Sequence, residues 1–191
     1  MQADFAVELG RDDPTLTVPW EDPDGEREYL DLKRQPDLLA KLAEAIEYPE
    51  LRDLLAFLNS ASSSIETAKC DVWWTTEMNP DEDIFHASWK FGSYVDFLFS
   101  DRSSRSCFAA HEKLVRDLVQ LLRKAPEIPA SAEFLIRRCY YDRERNEDGE
   151  DNFYVTFYVF GYGDAKVQAR KQWVIALRLV ENAIRQRSAG A

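Results

Sequence analysis

The run Phe153-Tyr-Val-Thr-Phe-Tyr-Val-Phe-Gly-Tyr-Gly163 constrains the fold more than any other stretch of this chain. Phe153, Val155, Phe157 and Val159 fall on one side of an extended backbone, and Tyr154, Thr156 and Tyr158 fall on the other, the period-2 alternation of a strand. The apolar side requires a core. The phenol and hydroxyl side requires water or hydrogen-bonding partners. The strand therefore belongs inside a sheet with two unlike faces, and the polar aromatic face is the main pointer to function.

A strand–strand–helix order precedes this run and repeats through it. Strands are predicted over 66–77 and 84–99, followed by a helix over 104–124 with Phe108, Leu114, Val115, Leu118, Leu121 and Leu122 inward. Further strands are predicted over 132–142 and 153–162, followed by a helix over 165–187 with Trp173, Ala176, Leu177, Val180 and Ile184 inward. Lys69-Cys70 matches Arg138-Cys139, and the alternation from Phe91 to Phe97 can be laid on that from Phe153 to Val159, the pattern of an internal duplication of ββα units, 65–125 and 131–188. The expected fold is α+β: a mainly antiparallel sheet of about four strands with two long helices on one face. If the two units pack side by side, their acidic hairpin loops, Asn79–Asp83 and Arg145–Asp151, lie at one end of the sheet.

Two shorter helices are expected before the sheet, from Leu38, Leu39, Leu42, Ala45 and Ile46, then from Leu51, Leu54, Leu55 and Leu58. Pro49 suits the first position of the second helix, with Glu50 at its positive end. These helices either extend the helical layer or close over the other face of the sheet. Residues 1–35 read as an N-terminal arm or hairpin, with a turn at Asp22-Pro-Asp-Gly25 and Trp20 as an anchor, and 36–191 as one α+β domain. Pro19 confines any strand there to an edge.

Composition narrows the partner classes. A net charge of −11 and a pI near 4.7 set the chain against phosphate backbones and anionic lipid, so neither nucleic acid nor membrane is expected as a partner. Cys70, Cys107 and Cys139 are odd in number and lack a Cys-x-x-Cys pair, which points to reduced thiols and a cytoplasmic protein. Cys70 is expected to share a strand face with Ala68, Val72 and Trp74 as a small core residue. The N-terminus carries no leader pattern.

Catalytic and metal motifs fail on inspection. His111-Glu112 lacks the second histidine of a zincin helix, since Val115 stands in its place. Gly161-Tyr-Gly163 follows a strand and opens a helix, but the third glycine of a dinucleotide fingerprint would fall at Lys166 and no second parallel strand follows. Set on an EF-hand loop with Gly149 sixth, Glu144, Asn146 and Asp148 fit early positions while Val155 occupies the twelfth. No catalytic residue, metal or cofactor is predicted.

The binding residues predicted from parity are Lys69, Asp71, Trp73, His86, Lys90, Tyr94, Asp96, Tyr154 and Tyr158, joined on the same face by Thr75, Ser88 and Thr156. Val72, Trp74, Phe85, Ala87, Trp89, Phe91, Val95 and Phe97 are assigned to the inner face. The third strand reads equally well with Arg137 or with Arg138 outward. Aromatic residues mixed with charges are what dominates protein interfaces, whereas Trp20, Leu38, Leu42, Leu54 and Phe57 are available to cover the same face. The expected function is that of a non-enzymatic, bacterial-type interaction module of chaperone, adaptor or antidote kind, with a protein partner or a second copy as occupant. The layout of helices and sheet is similar to that of bacterial secretion chaperones at the level of fold alone. The alternative is a small-molecule-binding protein or enzyme with a pocket between the sheet and the N-terminal helices.

Overall fold

In the computed structural model, which describes residues 1–22, 24–78, 85–141 and 151–189, the strand singled out above sits in the middle of the sheet. The strands are β1 (Gln2–Glu8), β2 (Leu16–Val18), β3 (Ile65–Thr75), β4 (Trp89–Phe99), β5 (Ala130–Tyr141) and β6 (Asn152–Gly163). They run in the order β1-β5-β6-β4-β3, with β2 pairing on β5 beyond the end of β1. The helices are a 3-10 segment (Pro36–Lys41), α1 (Ala43–Glu47), α2 (Pro49–Leu58), α3 (Arg102–Arg105), α4 (Phe108–Leu122) and α5 (Lys166–Ala189). The fold is thus mixed α+β with an open sheet. Among the described residues no helix is long and apolar enough to cross a membrane.

The sheet has six strands and is mixed, which corrects the expectation of about four antiparallel ones. β3, β4, β6 and β5 do form an antiparallel set. The N-terminal stretch then supplies two collinear strands parallel to β5: β1 from Gln2 opposite Ser131 to Glu8 opposite Arg137, and β2 from Leu16 opposite Cys139 to Val18 opposite Tyr141. The alternation Ala3, Phe5, Val7 carries this strand in the sequence, but it is short and its partner lies more than a hundred residues away. The β3–β4 and β5–β6 connections leave opposite ends of the sheet rather than one end, because β4 and β6 are antiparallel and Trp89 pairs with Gly163. Most of the two predicted acidic loops, including Glu144, Asn146, Asp148 and Gly149, lies outside the described residues.

One face of the sheet holds the main core. Phe91, Val95, Phe97, Phe134, Ile136, Val155, Phe157 and Val159 pack against Leu118 of α4 and Trp173, Leu177 and Val180 of α5. Helix α2 joins the same layer through Leu51, Leu54, Leu55 and Leu58, so the N-terminal helices extend the helical layer and leave the opposite face to other elements. This answers the question the sequence left open, and it moves Leu38, Leu42, Leu54 and Phe57 away from the outer face. Trp173 is wholly buried, its indole N–H donating to Ser93 Oγ at 2.8 Å. A Cβ on Gly161 would lie 2.1 Å from the backbone N of Trp173, so this glycine is required by the approach of α5 to β6 rather than by a phosphate.

A β-bulge between Thr67 and Lys69 reverses parity along β3. Ala68 therefore packs on the outer face while Cys70 and Val72 pack on the inner one, a correction to the shared face predicted for them. The helix predicted over 104–124 is divided at Ser106 and Cys107 into α3 and α4, with the Asp101 side chain accepting from Ser104 N at the start of α3. β4 begins at Trp89, five residues later than predicted, so Phe85, His86 and Ala87 precede the strand, and the Phe85 ring lies 4.9 Å from that of Tyr162, tilted by 41°.

Candidate functional site

The outer face divides into three zones along the strands. At the end where β5 finishes and β6 begins, Leu16, Val18, Ala68, Leu98, Cys139, Tyr141 and Tyr154 make a second, smaller core, with Trp20 and Tyr29 laid over it. The third-strand register follows from this: Phe134 and Ile136 face the helices, so Arg137, Cys139 and Tyr141 face outward. Trp20 Nε1 donates to the Ala68 carbonyl at 2.8 Å, and the Tyr141 hydroxyl donates to Glu66 Oε1 at 2.8 Å. Burial raises the Glu66 carboxyl above its ordinary range, opposed by the Tyr141 hydrogen bond and by Arg34. The Arg105 guanidinium lies 3.7 Å over the Tyr141 ring. The Trp20 hydrogen bond and the packing of Leu16 and Val18 tie the N-terminal arm to the sheet, and the Tyr141 contacts join β5 to β3 and to α3.

A polar belt crosses the middle of the face. The Thr156 hydroxyl donates to Asp96 Oδ1 at 2.6 Å, Arg137 Nη1 donates to Thr156 Oγ1 at 3.1 Å, and Arg137 Nε donates to Glu8 Oε2 at 2.6 Å. Lys69 stands opposite Asp96 in the β3–β4 register. Desolvation pushes the Asp96 carboxyl up to about 6, although the Thr156 hydrogen bond and the charges of Arg137 and Lys69 pull the other way. Burial raises Tyr154 to about 12, with the Asp96 charge adding to the effect.

Beyond the belt lies a platform of rings that the arm does not reach. Trp73 is its centre, with ring centroids 6.3 Å from Tyr94, 6.4 Å from Tyr158 and 6.0 Å from Phe160. Tyr158 and Phe160, two residues apart on β6, lie parallel within 8° at 6.0 Å. The Lys90 ammonium sits 4.5 Å above the Phe160 ring. Gly92 makes the cluster close, since a Cβ there would stand 2.9 Å from Phe160 and 3.1 Å from Trp73. Trp73, Tyr94, Tyr158 and Phe160 are each half-buried, neither sealed nor fully exposed. A hollow of about 680 Å³ borders the platform where Lys90, Phe160 and Tyr162 meet Ser131, Glu133 and Arg123.

A second cavity, of about 480 Å³, opens at the edge of β3 between the sheet, the arm and α1. Its floor is apolar, from Leu42, Leu55, Ala68 and Cys70. Its rim carries Glu21, Asp22, Glu26, Glu28 and Glu44 against Arg27, Lys41 and Lys69, five carboxylates to three cations. Lys69 is drawn toward Trp20, its ammonium 4.8 Å from the indole ring. Burial pushes the Cys70 thiol far above its ordinary range, and the Glu44 charge adds to this, which favours the protonated thiol at neutral pH.

Of the nine residues predicted from parity, Trp73, Tyr94, Tyr158 and Lys90 come together in the platform. Lys69 and Asp71 flank the β3 edge, and Asp96 lies beneath the surface in the belt. Tyr154 is enclosed in the second core, where Leu16 and Val18 of β2 extend the sheet beside β5 and Trp20 and Tyr29 pack against the cluster. His86 is exposed, ahead of β4, with a positive φ of 51°, so strand parity does not apply to it. Phe160, Tyr162 and Gly92 were missed, although Phe160 and Tyr162 continue the same alternation as Tyr158. His111 is buried between the Phe99 and Phe153 rings, its Nδ1 3.0 Å from the Cys107 carbonyl. Among the described residues no group of three or more His, Cys, Asp or Glu is placed to hold a metal ion.

Comparison of the chain with family models, with curated proteins and with solved structures finds no match.

Proposed function

We propose that this chain is a non-enzymatic protein-interaction module whose partner segment docks on the ring platform centred on Trp73. The observation that carries the reading is the unequal treatment of the two ends of the outer face. The arm seals one end with Leu16, Val18 and Trp20, while the other end keeps four mutually packed aromatic rings half-exposed. Large, rigid rings held by their neighbours lose little conformational entropy on binding, and such rings tend to dominate interface energetics. The platform is a broad surface, and among the described residues no nucleophile–base pair stands beside it, which favours a polypeptide over a reacting substrate. The acidic charge of the chain points to a basic partner, in keeping with a chaperone, an adaptor or an antidote in a cytoplasm.

The test is affinity purification of the wild type and of a Trp73→Ala, Tyr158→Ala variant shown to be folded by its melting transition. The expected result is a stoichiometric protein partner recovered with the wild type and lost with the variant. Equal recovery by both proteins, or no partner with either, would sink the reading.

A second reading, a small-molecule site, is supported by the 480 Å³ cavity at the β3 edge between the sheet, the arm and α1, although of the nine residues predicted from parity only Lys69 and Tyr94 line it. Its apolar floor and charged rim suit a small amphiphile with a cationic head. A small molecule retained through purification, or one that raises the melting temperature of the wild type while failing to do so for a Leu42→Trp variant, would favour it. A second copy on the same face is the remaining occupant, and a concentration-independent monomer mass would remove it.

A further inference from the structure

β3 is a terminal strand of the sheet, and the described residues close its free edge over only half its length. Over the first half, Lys33 Nζ donates to the Ile65 carbonyl, the Asn59 side chain accepts from Thr67 N, and Trp20 Nε1 donates to the Ala68 carbonyl. Over the second half, from Cys70 to Thr75, the one bond that the described residues place on that edge is local: Val72 N donates to Oδ1 of the preceding Asp71 at 2.7 Å. The alternation that turns the Val72 N–H away from β4 turns those of Cys70 and Trp74 the same way. The opposite edge of the sheet is treated differently, since Arg123 Nε donates to the Ala3 carbonyl of β1 at 2.8 Å. An edge left with outward donors and acceptors is a template for another strand.

Charge at the Cys70 end of the open stretch points to the occupant, while at the Trp74 end Lys166 lies 3.9 Å over the indole ring. Asp71 stands on the edge itself, and the cavity with its excess of carboxylates opens at the Cys70 end of the open stretch. Lysine, the residue that most often guards an exposed edge, is present at position 69 but lies over the Trp20 ring. A lysine or arginine entering the cavity would lay its aliphatic stem on Leu42 and Leu55 and leave its charged head at the rim. Trp73 of the open stretch also projects into the ring platform, so a segment along the edge passes beside it. A second copy of this chain fits less well, because edge-to-edge pairing would bring two molecules of charge −11 together.

We propose that the open half of the β3 edge, Cys70–Thr75, takes a basic, extended segment of a partner protein as an added strand, with a lysine or arginine of that segment seated in the cavity beside Cys70. The inference rests on the interaction reading above and adds the chemistry of the segment and its mode of docking.

The probes are two capped hexapeptides, Lys-Val-Arg-Val-Lys-Val and Glu-Val-Gln-Val-Glu-Val, titrated at millimolar concentration against the full chain, with backbone hydrogen exchange as the readout. The basic peptide is expected to slow exchange at Cys70 and Trp74 by about tenfold, as for amides recruited into a ladder, and to lose that effect as salt is raised. The acidic peptide is expected to have no effect. Val72→Pro removes an outward N–H without touching the β3–β4 ladder and is expected to abolish protection. A basic peptide N-methylated at alternate residues makes the same test without altering the protein. No binding of the basic peptide, binding without protection of 70–75, or binding undiminished by both Val72→Pro and N-methylation would overturn the inference. So would a self-associated β3 edge whose protection rises with protein concentration alone. The two levels separate cleanly: a partner retained by Val72→Pro but lost by Trp73→Ala, Tyr158→Ala leaves the platform reading standing and removes the edge.

Discussion

The Thr156 hydroxyl donates to Asp96 Oδ1 at 2.6 Å, joining β6 to β4 in the middle of the outer face with a carboxyl group that is only 6% exposed. This pair is where the sealed end of the face gives way to the open one. Its carboxyl is raised from 3.8 to about 6 by desolvation, against the pull of the Thr156 hydrogen bond.

The sign of that shift makes a stability prediction. A folded-state pKa above the unfolded one means that the native chain holds the proton more tightly, so Asp96 opposes folding progressively from pH 3.8 to about 6 and constantly above. Asp96→Asn keeps an acceptor for Thr156 and removes the charge. It is expected to raise stability by about 2 kcal/mol at pH 7.5, with the gain vanishing below pH 4. Urea unfolding at both pH values measures it, and a loss of stability at pH 7.5 would mean that Lys69 and Arg137 outweigh the desolvation.

His111 acts in the opposite direction. Burial holds its imidazole below the usual 6.5, with the Cys107 and Phe153 backbone opposing, so the native state binds its proton less readily than the unfolded chain. Its contribution is fully present above pH 6.5 and is lost as pH falls through the lowered folded value. His111→Phe, which fills the same space between Phe99 and Phe153, is expected to flatten this part of the acid unfolding profile, at a cost of about 1 kcal/mol near neutrality for the lost hydrogen bond. The comparison is best made in the Asp96→Asn background, where the opposing titration is absent.

Two glycines provide a contrast between rigid and yielding neighbours. Gly161→Ala sets a methyl group 2.1 Å from Trp173 N and 2.3 Å from Ala169 O, backbone atoms of α5 that cannot move without unseating the helix. A loss of about 3 kcal/mol or more is expected. Gly92→Ala comes nearest to the Phe160 and Trp73 rings, which can tilt, and is expected to cost about 1 kcal/mol. It should also change tryptophan fluorescence and weaken any partner held by the platform. Thermal melts of the two variants, side by side, check the ordering.

The arm is expected to depend on one indole. Trp20→Phe preserves a ring beside Lys69 but withdraws the donor from the Ala68 carbonyl. A loss of about 1 kcal/mol is expected, together with faster proteolysis between residues 20 and 30. An unchanged cleavage rate would show that Leu16 and Val18 hold the arm by themselves.

Periodicity in the sequence determined that β3 to β6 are strands and that α2, α4 and α5 are helices, and it determined the inner face of β6 and of β4 from Phe91 onward, because alternation is a local property that burial of one face enforces; it did not show the 3-10 segment at Pro36–Lys41 or the break between α3 and α4. It also brought Trp73, Lys90, Tyr94 and Tyr158 together by parity alone, since β3, β4 and β6 are antiparallel neighbours joined in register. Tertiary structure decided what local pattern cannot carry. The pairing of β1 and β2 with β5 spans more than a hundred residues and rests on backbone hydrogen bonds that any extended segment can offer. That pairing buried Tyr154 and left Trp73 open, although the two residues read alike in the sequence. The bulge at Thr67 and Lys69 changed the face of Ala68, because a single inserted residue shifts the parity of the strand, and the late start of β4 put His86 ahead of the strand, where alternation does not govern it. Which rings and which edge remain open is set by where the arm and the N-terminal helices come to rest, a contest among long-range contacts that strand alternation does not record.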